Sequence, residues 1–545
     1  MAINDKDLLF TFELDGSGSK LQVIRFEGRE AISRLFEFDI TLVSDDPDID
    51  LDAALKSTAI LTLRSRDQSA STPYRGMLAQ FEQLGGVDNY YFYRATLVPR
   101  LWRAGLNRLN EVYLDEQTIP QIIRTLLERN DLKGPDLKML LKQPSDYRAR
   151  SFICQYQESD LAFVSRWMEQ EGLYYYFDHD SSHSGEVLAI LDYKEAQPTD
   201  ALQLRYTPPE NVQTDRQDSC VTAFTCRKTH LPGKALVQDF NYRLAKLGDN
   251  LKAEAQVRDG AQGEYMLYGQ NLRTEGDARR LSRIRAEELG AQGTVFHGEA
   301  PAIGVRSGYF IEVDNHFRDS CNARYLVTEV THRGSQAGVV LAGQNTGYNQ
   351  SEQGSTYHCE FQAIGSDLQY RAPRLTPRPS IDGVLSALID SEGDGAVAEL
   401  NEYGQYKVQL LYDYSDKPVN KGSSWLRMAT PYAGKSEGMH FPLLKGTEVL
   451  LAFNQGDPDQ PIILGAAPNS EAQSIVDSSN ATNNGIRTAG GNSLVMVDTK
   501  DKQLISFYSP TQKSLIYIGA FPEAQDSPKD TQSASNPADV LQSVI

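Results

Sequence analysis

The chain has 545 residues, of which 40% are hydrophobic and 23% charged, and its formal net charge is −19. That length exceeds a single ordinary core and predicts several domains, while the composition excludes a wholly disordered chain. So acidic a chain also excludes nucleic acid as the expected partner, because phosphate binding rests on basic surface and counterion release.

At the N-terminus, Met1-Ala-Ile-Asn-Asp-Lys-Asp has neither a basic n-region nor an apolar core, so no secretory leader is expected there. No run of about 18 apolar residues follows, so no membrane span is predicted. Residues 8–42 alternate apolar and polar positions, as at Leu8, Phe10 and Phe12 and again at Leu21 and Val23. Two or three antiparallel strands are the natural reading. The alternation continues over residues 58–98, with Gly85-Gly86 predicted as the turn before Tyr90-Tyr-Phe-Tyr.

Helical spacing then appears at Ile119, Ile122, Ile123, Leu126 and Leu127, with Pro120 in the first turn. A second helix is predicted near residues 159–171, capped by Ser159 or Asp160 and stopped by Gly172. Asp160, Arg166, Glu169 and Gln170 take its polar positions, and Leu161, Phe163, Val164, Trp167 and Met168 its apolar ones. A third helix is predicted over residues 274–289, with Leu281, Ile284 and Leu289 facing inward.

Strands return over residues 305–345, and Tyr370-Arg-Ala-Pro-Arg-Leu-Thr-Pro-Arg-Pro reads as an extended linker. Residues 381–467 then predict a β domain of about five strands, at 381–388, 405–411, 424–429, 448–453 and 462–466. A closed unit of that size is compatible with an OB-fold. A Ser-, Asn-, Ala- and Gln-rich linker spans residues 468–484.

Three short strands follow within residues 485–520, and their candidate inward-facing residues are Leu494, Met496, Leu504, Phe507, Leu515 and Tyr517. A ribbon this small leaves its apolar face open and is marginal in water, so copies of the same ribbon are the expected cover. Residues 521–545 form a polar, proline-containing tail expected to be mobile. At its end Val540, Leu541, Val544 and Ile545 would make one apolar stripe if helical, a candidate docking segment.

No phosphate-loop, zinc-protease, nucleophile-elbow or paired Cys-x-x-Cys motif is present. Gly16-Ser-Gly-Ser-Lys is a turn between strands. His179 and His183, beside Asp178 and Asp180, have a spacing that converges on a metal only in a helix, and here they predict a solvated loop. Glu158, Asp160, Glu169 and Glu171 are expected in caps and salt bridges rather than as an acid/base pair. Asp457-Pro-Asp459 reads as a turn. Cys154, Cys220, Cys226, Cys321 and Cys359 are scattered and predict free thiols. The sequence thus predicts no catalytic residue, no cofactor and no metal.

Seven stretches, taken in order, resemble the VgrG family, whose fold joins the baseplate hub and central spike of contractile phage tails. They are Tyr74-Arg-Gly-Met-Leu-Ala-Gln-Phe-Glu-Gln-Leu-Gly, Tyr93-Arg-Ala-Thr-Leu-Val-Pro-Arg-Leu-Trp and the run from Cys154-Gln-Tyr-Gln-Glu-Ser-Asp to Leu173-Tyr-Tyr-Tyr-Phe. Asn322-Ala-Arg-Tyr-Leu-Val-Thr-Glu-Val-Thr-His and Glu402-Tyr-Gly-Gln-Tyr-Lys-Val-Gln follow. Trp425-Leu-Arg-Met-Ala-Thr-Pro-Tyr-Ala-Gly-Lys and Gly456-Asp-Pro-Asp-Gln-Pro-Ile-Ile-Leu-Gly complete the series. Gln405-Tyr-Lys-Val-Gln-Leu-Leu-Tyr-Asp departs from the family pattern by one Trp and one His but keeps strand alternation.

The resemblance implies a mainly β fold with some α. It places a hub-like β-barrel domain of two β-rich subdomains with helices at 1–370, a proline-rich linker at 371–380 and an OB-fold at 381–467. The polar linker at 468–484 then leads to a short intertwined trimeric β-helix spike at 485–520. The implied protein is a non-enzymatic homotrimer that caps a tube of Hcp rings, contacts baseplate components and takes a PAAR-repeat tip protein. It would puncture a target membrane transiently and carry effectors, directly or through adaptors, with the apolar tail as one docking candidate. Assembly in the cytoplasm and export by a signal-independent route are implied as well. Two alternatives are a phage or prophage tail hub and a spike-borne cell-wall hydrolase; the continuous 370–380 linker leaves no inserted hydrolase domain there.

Overall fold

The N-terminal alternation closes into a barrel in the computed structural model, which describes residues 8–114, 116–179, 185–211, 219–246, 251–342, 354–392, 397–415 and 421–520. Its strands are β1 (Phe10–Leu14), β2 (Gln22–Ala31), β3 (Glu37–Ser44), β4 (Thr58–Arg64), β5 (Ser71–Val87) and β6 (Tyr90–Val98). They pair in the order β1-β4-β5-β6-β3-β2, and Thr11 opposite Gln22 joins the last to the first. Closure matters because an open apolar edge would recruit foreign strands. Phe10 and Phe26 meet edge-on at 5.0 Å, and the Phe38 and Tyr74 rings lie 4.4 Å apart. Gly28 makes room for this packing, since a Cβ there would sit 2.1 Å from the Phe38 ring.

Gly85-Gly86 is not the turn. β5 runs through both residues to Val87, and the reversal falls at Asp88-Asn89, with Asp88 at φ 55°. The glycines instead follow a register shift between Gln83 and Gly85, where missing side chains let the strand bulge. From β2 the sheet continues into the strand Arg324–Ser335, which pairs in turn with Thr356–Gly365.

Three helices carry the apolar spacing read from the sequence. In α1 (Ile119–Arg129), Thr118 and Gln121 form a capping box and Ile122, Ile123, Leu126 and Leu127 are buried. In α2 (Asp160–Glu171), Ser159 Oγ accepts from the Ala162 N–H, so Ser159 is the cap. In α3 (Glu275–Ala291), Thr274 caps, Leu281 and Ile284 are buried, and Leu289 is only half-buried.

Gly172 ends α2 at φ 77°, and a Cβ there would approach Ile284 to 2.8 Å. Gly172→Ala combines left-handed backbone strain with that clash, so we expect a loss of about 2 kcal/mol in denaturant unfolding. Equal stability of the two proteins would contradict this account of the helix stop.

The chain divides into two units, Met1–Ser380 and Ile381–Ile545. In the second, β7 (Val384–Asp390), β8 (Lys407–Leu410), β9 (Glu448–Phe453) and β10 (Pro461–Ala466) form a sheet in the order β8-β7-β9-β10. The strand predicted at 424–429 does not form. Leu426 bridges Tyr406 while Met428 bridges Ile463, so this segment crosses between two neighbours and builds a ladder with neither. Beyond it, β11 (Asn483–Arg487), β12 (Ser493–Val497), β13 (Leu504–Ser509) and β14 (Ser514–Gly519) make a separate antiparallel meander. β11 was hidden by its polar composition, Asn-Asn-Gly-Ile-Arg; pairing with β12 makes it a strand. Among the described residues no helix is long and apolar enough to cross a membrane.

Candidate functional site

The most specific sequence motif folds into α2, whose charges are buried. At its N-terminal end Asp160, fully buried, accepts from Arg129 Nη2 at 2.8 Å, Gln155 Nε2 at 2.9 Å and Asn130 Nδ2 at 3.0 Å. At its C-terminal end the free carbonyls are met by cations from elsewhere, which the helix dipole favours. Arg285 Nη2 donates to the carbonyls of Glu169 and Gln170 at 2.7 Å each, Arg280 to that of Glu171 at 2.9 Å and Arg371 to that of Gly172 at 2.6 Å.

Glu169 accepts from Arg34 at 3.2 Å and from the backbone N–H groups of Leu375 and Thr376 at 3.1 and 3.0 Å. It thereby pins the proline-rich segment that the sequence presented as an extended linker. Burial alone would raise the Glu171 carboxyl, but Arg280 at 2.5 Å and Arg150 at 2.9 Å outweigh it and hold it at about 2. Arg166 clasps Glu158 with Nε and Nη2 at 2.7–3.0 Å. All four carboxylates are therefore engaged in ion pairs and hydrogen bonds, as expected. All four are buried, as is the Arg166 partner of Glu158.

A second polar cluster lies beside the barrel core. Glu30 accepts from Tyr74 Oη and Ser307 Oγ, both at 2.9 Å, and its Oε1 lies 3.0 Å from His332 Nε2. His332 Nδ1 meets Tyr357 Oη at 2.8 Å. The residue types suit proton transfer, but Tyr74 and His332 are wholly buried and both rings pack against Phe38.

His179 departs from its expected solvated loop. It is buried, its Nδ1 accepts from the Arg75 N–H at 3.0 Å, and burial, with Arg306 and Arg75, holds the ring well below the usual imidazole range. His183 and Asp180 lie outside the described residues. Asp457 and Asp459 form the expected turn, with the Asp459 N–H donating to Asp457 Oδ1 at 3.0 Å. The five cysteines are unbridged. Among the described residues no group of three or more potential metal ligands is gathered.

The C-terminal meander is the accessible candidate. Its register sets Leu494 opposite Phe507 and Ile486, Met496 opposite Ile505, Phe507 opposite Ile516, and Ile505 opposite Ile518. Directly opposed residues share a face, so Ile486, Leu494, Met496, Ile505, Phe507, Ile516 and Ile518 form one continuous apolar face. Six of them are 37–56% exposed, Leu494 being the seventh and half-buried. The other face carries Val495, Val497, Leu504, Ser506, Tyr508, Leu515 and Tyr517. Of the six candidate residues, Leu494, Met496 and Phe507 thus share the exposed face, whereas Leu504, Leu515 and Tyr517 lie on its reverse. Ile486, Ile505, Ile516 and Ile518, outside those six, complete the exposed face. The candidate docking stripe of Val540, Leu541, Val544 and Ile545 lies outside the described residues.

Comparison with known proteins matches residues 29–338 to the phage tail baseplate hub (GPD) family and residues 394–467 to the type VI secretion system/phage-baseplate injector OB domain. Similar proteins include the type VI secretion system spike protein VgrG5 of Pseudomonas aeruginosa, 31% identical over 85% of this chain and 58% of that protein. Spike protein VgrG1b of the same organism is 29% identical over 90% of this chain and 64% of that protein. The chain thus spans about three-fifths of the length of these relatives. A similar fold is seen in an E. coli component of the type VI secretion system described as structurally similar to the T4 bacteriophage tail proteins gp27 and gp5. That likeness has a TM-score of 0.60 at 23% identity and covers 84% of this chain and all of the other.

Proposed function

This chain belongs to the phage tail baseplate hub (GPD) family, and from that premise, with its similarity to type VI secretion spike proteins of the VgrG group, we propose that it works as a homotrimeric, non-enzymatic spike. The carrying observation is the exposed apolar face of the C-terminal meander. Six side chains, each roughly half-exposed, would contribute about 1 kcal/mol apiece on burial, before the cost of association. Three copies turning this face to one axis close it symmetrically, and threefold closure leaves no open-ended assembly.

In this reading the first unit seats the trimer on a tube of Hcp rings within the baseplate, and the OB-fold unit carries the spike outward. The spike, tipped by a PAAR-repeat protein, pierces a target membrane when the sheath contracts. Effectors travel with it, directly or through adaptors, and the protein moves from the cytoplasm to the outside by a signal-peptide-independent route. The engagement of the α2 carboxylates in ion pairs and the sealing of the Glu30–His332 cluster support a role without catalysis. A tagged full chain expressed in contraction-competent cells is expected in the culture medium only while the sheath is present. Release that persists after the sheath gene is deleted would overturn the spike reading, and release confined to phage particles would favour a prophage tail.

A further inference from the structure

A cavity of about 30 Å³ lies where the N-terminal ends of α1 and α3 meet the C-terminal end of α2, with Ile119, Glu171 and Asp277 among its lining residues. Arg148, Arg150 and Arg280 line it too, and Arg273 is close enough to feel the charges of Arg150 and Arg243. The carboxylates facing these cations are already engaged. Glu171 is shared between Arg150 and Arg280. Asp277 Oδ2 accepts from the backbone N–H groups of Arg273 and Thr274 at 3.0 and 3.1 Å and lies 3.3 Å from Arg148 Nε. Asp146, at the rim, is exposed.

Glu116, which also acts on Arg273, is exposed to water like Asp146. That leaves the Arg148, Arg150, Arg273 and Arg280 guanidiniums against the more buried Glu171 and Asp277. Two donors are idle, Arg148 Nη1 at the cavity and Arg273 Nε beside it, both buried without a hydrogen-bond partner. A buried guanidinium N–H without an acceptor is costly, and the surplus charge makes an anion a better occupant than water. Burial, followed by repulsion from Arg150, lowers the Arg148 guanidinium to about 10, as expected of a cation short of counter-charge. The N-termini of α1 and α3 add positive potential, while the negative C-terminal end of α2 is already met by Arg280, Arg285 and Arg371. Room for one or two water-sized particles admits a monatomic ion and not a phosphate.

We propose that this cavity is a halide site, in which one chloride accepts from Arg148 and balances the surplus guanidinium charge at the α1–α2–α3 junction. Thermal unfolding of the full chain tests it in sodium chloride or bromide against sodium gluconate at matched ionic strength. The halides are expected to raise the midpoint by roughly 2 °C in a saturable manner. Arg148→Gln should abolish the difference between anions, whereas Arg279→Ala, an exposed substitution, should keep it. Superposable curves in all three salts, or a halide effect of full size in Arg148→Gln, would overturn the proposal. Where Arg148→Gln fails to fold, bromide-soaked crystals of the unaltered chain decide: an anomalous peak in the cavity supports the site, and its absence removes it.

Discussion

The double substitution Ile505→Asp/Phe507→Asp is expected to turn the assembled protein into single copies while leaving both folded units intact. Ile505 opposes Met496 and Ile518, and Phe507 opposes Leu494 and Ile516, so the two positions sit at the centre of the exposed apolar face. In a closed trimer the change would bury six carboxylates around one axis, each facing desolvation and like-charge repulsion of several kcal/mol. In a lone chain those positions are 37% and 45% exposed, and charge there costs little. Light scattering should therefore show loss of the trimer, with circular dichroism unchanged. Lys500→Asp, in the exposed loop between β12 and β13, is the matched control and should remain assembled. An assembled Ile505→Asp/Phe507→Asp protein would place the interface elsewhere.

Arg166→Met carries the largest expected effect on the stability of the first unit. Both side chains of the Arg166–Glu158 pair are 7% exposed, and Arg166 also donates to the Cys154 carbonyl at 3.1 Å and lies over the Phe163 and Trp167 rings. Removing one partner of a buried pair leaves the other charge uncompensated, at about 3–5 kcal/mol. The loss should also depend on pH. Burial already raises the Glu158 carboxyl, against the hydrogen bonds and charge of Arg166; without Arg166 the rise grows. Between the unfolded carboxyl value, near 4.3, and the raised folded value, the native state holds a proton that the unfolded chain has released, so stability falls as pH rises. The deficit of Arg166→Met is thus expected to be largest at neutral pH and to shrink as pH falls toward 4.3. Adding Glu158→Gln should recover part of it and flatten the pH dependence. A deficit constant from pH 4.5 to 7.5 would contradict this reading of the pair.

Local rules made much of this legible in advance. Ser159, Gly172 and the apolar residues of α2 sit where a cap, a stop and a helical stripe require them. The N-terminal alternation gave the barrel strands, because period two is a property of each strand by itself. What stayed hidden depends on partners distant in sequence. Asp160 and Glu169 look like solvent-facing positions until Arg129 and Arg34 arrive from other elements as counter-charges. The segment at 424–429 alternates well but finds two different neighbours. In the meander, Leu504 and Phe507 are three residues apart, an odd separation that must put them on opposite faces. Which strand parities match across the turns is set by loop length, which alternation within a strand does not report.

Three copies sharing one apolar core would show in the mass of the unaltered full chain in solution. Native mass spectrometry or light scattering at micromolar concentration should give three times the 60.7 kDa of a single chain. A stable species of one chain mass, with Phe507 and Ile516 still in their ordered meander, would contradict the trimer.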